Sequence, residues 1–122
     1  MDNNYCLDHL KKLLKTLSCD SSMQLKMIPK EIMWNISSDI ASEWDYENIK
    51  FFVQNLVDNR LISINIEEKF QTICNNFKKA SINGGHFDQT IWTIDGLAHH
   101  PFWKHQRKLA KELLNELDKI QP

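Results

Sequence analysis

The sequence predicts an all-α fold, a compact bundle of five or six helices that forms a single domain over residues 1–122. Three observations support that prediction. Apolar residues recur at three- and four-residue steps along most of the chain, which is the spacing of the buried face of a helix. Capping residues and first-turn prolines precede several of these stretches. Only residues 61–64 have the brief β-branched character that is typical of a strand.

The composition is that of an ordinary globular protein. Of the 122 residues, 42% are hydrophobic and 25% are charged, and a chain of this length can bury a core. It has no apolar run of the roughly 18 residues that a membrane span needs, and no apolar block like that of a signal peptide near its start. A cytoplasmic protein without a membrane partner is therefore expected. The three cysteines lack C-x-x-C spacing, which favours reduced thiols over disulfides or a zinc site.

The first third of the chain predicts two helical regions. Asn3 or Asn4 is a suitable cap for the first helix. Residues 18–22, SCDSS, are typical of a loop. A short apolar alternation then leads to Pro29, which suits the first turn of the second helical region. The predicted buried face of the first helix consists of Leu7, Leu10, Leu13, Leu14 and Leu17.

Two longer helices are predicted in the middle of the chain. Asp45 can cap the first of them. Residues 61–64 then form either a buried connector or a small strand. Asn65 can cap the second helix, and Gly84 with Gly85 can stop it, because glycine readily adopts the left-handed conformation of a helix end. The apolar faces of the two helices are Ile49, Phe52, Val53 and Leu56 in the first, and Ile66, Phe70, Ile73, Cys74, Phe77 and Ala80 in the second.

The longest predicted helix begins near His100, where Pro101 suits a first helical turn. Before it, Asp88 can cap a short helix that Gly96 interrupts. The apolar stripe of the long helix predicts one buried face. That stripe contains Phe102, Gln106, Leu109, Ala110, Leu113, Leu114, Leu117 and Ile120.

Four histidines and two aspartates around the start of this helix raise the hypothesis of a small metal-dependent hydrolase. They are His86, Asp88, Asp95, His99, His100 and His105. No H-E-x-x-H motif is present, and His100 and His105 are five positions apart, so they do not stack on one helix face. Roles as caps, turn residues and surface side chains fit better. We expect no catalysis, no bound metal and no cofactor.

Charge is distributed unevenly along the chain. The net charge is −1 overall, but it is +1 for residues 1–29, −5 for residues 30–68 and +3 for residues 69–122. A general nucleic-acid binder is expected to be basic or to carry a dense basic stripe. Because this chain as a whole is not basic, no nucleic-acid partner is expected. The alternative is a small nucleic-acid-binding regulator that uses the basic last helix.

The acidic middle of the chain contains the candidate binding site. Its run EWDYE places two aromatic residues among three acids, and Asp39 lies just before it. Aromatic anchors supply contact energy at protein interfaces, while acids steer the approach of a basic partner. The competing interpretation is a solvated helix start whose acids interact with the helix dipole. The predicted partner-binding residues are Asp39, Glu43, Trp44, Asp45, Tyr46 and Glu47.

The second half of the chain resembles a family of small proteins. Residues 77–114, FKKASINGGHFDQTIWTIDGLAHHPFWKHQRKLAKELL, resemble the C-terminal part of bacterial immunity proteins of contact-dependent growth inhibition and colicin-like systems. The preceding FFVQNLVDNRLISI, with the helix that starts around Glu67, is similar in layout to a helix, short apolar segment and helix found in some of them.

That resemblance implies a cytoplasmic, non-enzymatic inhibitor. Such a protein binds a cognate toxin domain and blocks its active site or its access to substrate. Many of these toxins are nucleases with cationic clefts, which an acidic surface bearing aromatic residues would complement. The resemblance fixes no individual toxin-contacting residue, so the candidate site rests on the acidic run alone.

Overall fold

The computed structural model describes residues 2–27, 36–81 and 83–120. Within them the chain forms seven α-helices and one 3-10 helix and no strand, which confirms the predicted all-α class. In chain order they are α1 (Asn3–Ser18), α2 (Ser21–Met27), α3 (Ile36–Ser42), α4 (Tyr46–Asp58), α5 (Ile64–Ala80), the 3-10 helix (Gln89–Trp92), α6 (Ile94–His99) and α7 (Pro101–Asp118). None of the helices in these ranges is both long enough and apolar enough to cross a lipid bilayer.

Four long helices enclose the core. Helix α1 packs most extensively on α7 and then on α4, while α5 packs on both α4 and α7. The predicted leucine stripe of α1 is buried, as are the apolar faces predicted for α4, α5 and α7 over most of their length. Burial of these stripes supplies the main driving force for folding.

Buried amides join helices that are distant in sequence. The Gln106 side chain on α7 is fully buried; its Nε2 donates to the Ile73 carbonyl oxygen at 3.0 Å, and its Oε1 accepts from Asn76 Nδ2 at 2.9 Å. Gln24 on α2 is also fully buried and donates to the carbonyl oxygens of Thr16 and Leu17 on α1. Such satisfied groups add specificity to a core that is otherwise apolar.

The 3-10 helix and α6 form a small unit beside the start of α7. Trp103 on α7 is completely buried, and its indole Nε1 donates to the Ile91 carbonyl oxygen at 2.8 Å. Gly96 lies inside α6, so the prediction that it interrupts a helix is wrong. A Cβ on Gly96 would stand 1.8 Å from the Thr90 carbonyl oxygen, which explains the glycine by close packing of α6 on the 3-10 helix.

The predicted number of helices, five or six, is lower than the seven α-helices in the described residues. Helix α2 starts within residues 18–22, which were expected to be a loop, because Asp20 Oδ1 accepts from Met23 N at 2.9 Å and its carbonyl oxygen accepts from Gln24 N. The short helix predicted after Asp88 is divided into the 3-10 helix and α6. The start predicted at Pro29 falls outside the described residues, while the later part of that helical region is α3.

The possible strand at residues 61–64 is absent. Arg60 has a φ of 61°, Arg60 N donates to the Val57 oxygen, and Leu61 N donates to the Leu56 oxygen. This is the bond pattern of a Schellman turn, with arginine in the left-handed position that glycine usually occupies. The connector alternative is therefore correct for this segment, and Ser63 rather than Asn65 caps α5.

Two further helix ends differ from expectation, and three agree with it. Asp2 caps α1, in place of Asn3 or Asn4. Helix α5 ends at Ala80 with Ser81 as its cap, so the Gly-Gly pair forms a turn beyond the helix and does not end it. The predicted starts of three helices are confirmed, with caps at Asp45, Asp88 and His100.

Candidate partner-binding groove

A groove of about 960 Å³ opens on one side of the helical bundle. Its walls are the corner between α3 and α4, the C-terminal half of α5, and the segment that contains Phe87 and Trp92. Five aromatic side chains line what we call the aromatic groove: Trp44, Tyr46, Phe77, Phe87 and Trp92. Because these residues are separated by up to 48 positions in the sequence, the fold is what assembles the groove.

The aromatic side chains differ in depth. Trp44 and Phe77 are 2% and 4% exposed and form the floor. The Trp44 ring stacks on Phe70 with centroids 6.3 Å apart. Trp92 is partly exposed and is held by a hydrogen bond from its Nε1 to the Ala80 oxygen at 2.9 Å. Phe87 is 43% exposed, so the groove has a fixed floor and an aromatic rim open to solvent.

Charged residues line both walls of the groove. Asp45 and Glu47 lie at the start of α4, and Lys78 lies on α5. Asp45 caps α4 by accepting the Glu47 backbone N–H at 3.0 Å. The Lys50 ammonium bonds to the Glu47 carboxylate at 2.8 Å; this hydrogen bond and the Lys50 charge lower the pKa of Glu47, and the Lys78 charge adds to that effect. Glu47 is therefore a carboxylate at neutral pH.

Cys74 also lines the groove, at its buried side. Burial, together with the negative charge of Asp45, raises the pKa of this thiol from 9.0 to about 12. The thiol is therefore uncharged at neutral pH, and only a thiolate is a strong nucleophile. Cys74 contributes to the wall of the groove as a small apolar side chain.

The structure brings four of the six predicted site residues together. Trp44, Asp45, Tyr46 and Glu47 line the groove. The other two, Asp39 and Glu43, are exposed on the adjoining segment, outside the lining. Asp39, Glu43, Asp45 and Glu47 together are named the acidic segment below.

The aromatic pair of EWDYE occupies two different environments. Trp44 points into the core, where it supports the floor of the groove and offers almost no surface to a partner. Tyr46 is partly exposed, and its hydroxyl oxygen accepts from Gln71 Nε2 at 3.3 Å. The exposed aromatic surface beside the acids comes mainly from Phe87, which the sequence did not single out. Its one signal was an aromatic residue in a polar loop after Gly84 and Gly85.

Two of the six histidines and aspartates of the hydrolase hypothesis, Asp88 and His100, are helix caps. His100 Nδ1 accepts the Phe102 backbone N–H at 3.0 Å, and its Nε2 lies 3.3 Å from an oxygen of Asp88. Hydrogen bonds from the Thr90 hydroxyl and backbone N–H, then from His100, lower the pKa of Asp88. Residues 2–27, 36–81 and 83–120 contain no group of three or more His, Cys, Asp or Glu side chains placed to hold a metal ion.

Comparisons of the chain with protein-family models, with curated proteins and with solved structures find no match. The aromatic groove and the acidic segment beside it are therefore the features from which a function can be inferred. The Cys74 thiol in the groove wall is uncharged at neutral pH, and His100, outside the groove lining, caps α7.

Proposed function

We propose that this protein is an immunity protein that binds a cognate bacterial toxin domain in the cytoplasm and neutralises it without catalysis. The observation that carries the proposal is the acidic segment, four exposed carboxylates at the edge of a groove that displays aromatic side chains. The toxin surface that fits it is basic. Neutralisation follows from covering the toxin's active site or its path to substrate.

The charges of the acidic segment are largely available to a partner. Among the described residues, Glu47 pairs with Lys50, whereas Asp39, Glu43 and Asp45 form no ion pair. Carboxylates that project into solvent create a negative field that accelerates the approach of a cationic surface. On a nuclease they would take the positions of substrate phosphates. The resemblance of residues 77–114 to immunity proteins supports the same function.

The aromatic groove adds contact energy that charge alone does not supply. Interfaces derive most of their affinity from a few buried aromatic and arginine side chains, with polar groups around them. Phe87 and Tyr46 offer that kind of surface next to the carboxylates of Asp45 and Glu47. The combination is typical of a protein-binding surface and gives no base-reading or phosphate-binding pattern.

The test uses the toxin domain expected to be encoded beside this protein, at the variable C-terminus of a large secreted protein. The double variant Asp39→Lys/Glu43→Lys should slow association by about tenfold or more at low salt, because it reverses the steering field. Stopped-flow mixing of the purified proteins measures that rate, and protection of cells that express the toxin gives the biological readout.

A matched control carries the same change of net charge elsewhere. Glu68→Lys/Glu112→Lys alters exposed acids on α5 and α7, away from the groove lining. Its association rate should fall by a clearly smaller factor, since these charges lie outside the proposed interface and the interaction between two charges weakens with distance. Equal effects of the two double variants would reject the acidic segment as the interface. Absence of any binding to the toxin domain would reject the proposed function.

A further inference from the structure

We propose that the aromatic groove is a receptor for an arginine side chain that projects from the partner, with the residues flanking that arginine resting on the aromatic rim. The identity of the partner rests on the proposed function. The charge preference of the groove is independent of the proposed function, and it can be measured with short peptides.

The size and rigidity of the groove suit an inserted side chain with its neighbours. A volume of about 960 Å³ lies at the upper end of the range for sites that enclose a small ligand, and it exceeds what one side chain fills. The floor is held in place by packing, since Trp44 stacks on Phe70 and the Phe77 ring lies 5.5 Å from that of Trp103. A preformed floor lowers the entropy lost on binding.

The chemistry of the lining selects a guanidinium group. Two acidic residues, Asp45 and Glu47, line one wall, and the partly exposed aromatic residues Tyr46, Phe87 and Trp92 line the same space. A guanidinium group is planar, forms paired hydrogen bonds with carboxylates and stacks on aromatic faces. A lysine ammonium offers the charge without the plane, so an arginine should be preferred.

The existing partner of Glu47 does not prevent this binding. Lys50 holds Glu47 from outside the groove lining, and the pair is well exposed to solvent. Exposed ion pairs of this kind contribute little to stability. An entering guanidinium can therefore share or replace the Lys50 contact at small cost.

Lys78 gives the inference a distinctive signature. It lies on the α5 wall of the groove, and its charge acts on the Glu47 carboxylate without forming an ion pair with it within the described residues. Lys78 must repel a cationic occupant. Glu47→Gln and Lys78→Gln should therefore shift the affinity in opposite directions, and the direction reports the charge of the occupant.

The probes are four acetylated and amidated peptides, Gly-Phe-X-Phe-Gly, in which X is Arg, Lys, Gln or Glu. Each is titrated to millimolar concentration into the full chain labelled with ¹⁵N, and the indole N–H of Trp92 and the backbone N–H of Glu47 are followed by NMR at low salt. The Arg peptide should bind most tightly and the Glu peptide most weakly. Glu47→Gln should weaken binding of the Arg peptide by about two- to fivefold and Lys78→Gln should strengthen it by a similar factor, as expected for exposed charges.

Three results would overturn the inference: no shift of the Trp92 signal with any peptide, tightest binding of the Glu peptide, or equal affinities of the Arg and Gln peptides in all three proteins. Both substituted residues are exposed, so thermal unfolding should be almost unchanged and folding does not confound the result. If the toxin domain binds through the acidic segment while the peptides fail, the groove inference fails alone. If the Arg peptide binds and no toxin domain does, the proposed function fails alone.

Discussion

The core around Trp103 and the aromatic groove are built from the same kinds of side chain, yet they differ in what covers them. In the core, Trp103 is fully buried, and the rings of Phe77, Phe102 and Trp92 surround it at centroid distances of 5.5, 5.6 and 6.0 Å. In the groove, Phe87 is 43% exposed and charged groups stand beside it. Aromatic content alone therefore does not mark a candidate binding site, whereas an incompletely buried aromatic side chain next to exposed charge does.

The largest expected effect tests this contrast directly. Trp103→Ala should lower the free energy of unfolding by about 3–5 kcal/mol, because it removes a fully buried ring and the hydrogen bond to the Ile91 oxygen. Phe87→Ala should lower it by less than about 1 kcal/mol, since the ring is largely at the surface. Urea unfolding followed by circular dichroism measures both values.

The order of the two effects should be reversed for the affinity of the proposed toxin partner, with Phe87→Ala causing the larger loss. Phe87→Ala is expected to weaken binding by about tenfold, as for the loss of an aromatic contact at an interface. Comparable losses of stability in the two variants would show that Phe87 belongs to the core and would remove the distinction between the regions.

Gly96 gives the next largest effect and tests how the groove wall is held. Helix propensity alone predicts that Gly96→Ala stabilises α6 by about 1 kcal/mol. The close approach to the Thr90 oxygen predicts the opposite, a loss of about 1–3 kcal/mol from steric overpacking. Thermal unfolding decides between the two signs. A stabilised variant would mean that α6 can move away from the 3-10 helix and that this packing does not hold Trp92 in place.

Arg60 offers a stabilising change at the end of α4 that is opposite to the groove. Its φ of 61° is unfavourable for a residue with a Cβ, so Arg60→Gly should raise the free energy of unfolding by roughly 1 kcal/mol. Asn is also tolerated in this conformation and should give a smaller gain. Peptide and toxin binding should not change in either variant. Altered binding would show that the strained turn influences the groove from the far end of α4.

The smallest effect concerns the pH dependence contributed by Asp88. Its pKa in the folded protein is lowered, chiefly by the Thr90 hydroxyl and backbone N–H and then by His100. A depressed folded pKa stabilises the protein above the unfolded pKa of about 4, and the contribution disappears as the pH falls below that value. Asp88→Asn keeps an acceptor for the Thr90 N–H and removes the titration. The fall of the melting temperature in acid should therefore be slightly shallower, and an unchanged acid limb would contradict this role.

Most of the fold could be predicted because helical periodicity is a local property. The leucine stripe of α1 and the apolar faces of α4, α5 and α7 follow from spacing within a few turns, and their burial agrees with it. Helix ends were less predictable. Ser63 and Asn65 are both good cap residues, and the choice of Ser63 depends on which residue the preceding turn leaves extended.

Features that depend on distant contacts could not be predicted from local patterns. Helix α2 is anchored by Gln24, which accepts from the Arg107 guanidinium 83 positions away at 2.9 Å. In the candidate site, the acids were identified by charge, while Phe87 and Trp92 reach the groove only because the chain folds back against α5. The Trp44 side chain is buried and stacks on Phe70 of α5. Nothing within the run EWDYE indicates this contact.

Asp45 both lines the groove and caps α4, and this double role restricts which substitutions position 45 can accept. Its carboxylate accepts the Glu47 N–H in the first turn of α4, so most replacements would remove a helix cap as well as alter recognition. Asn, Ser and Thr are the exchanges that keep the cap. Sequence drift towards new specificities should therefore concentrate at positions 39, 43, 47 and 87, while position 45 stays within a narrow chemical repertoire.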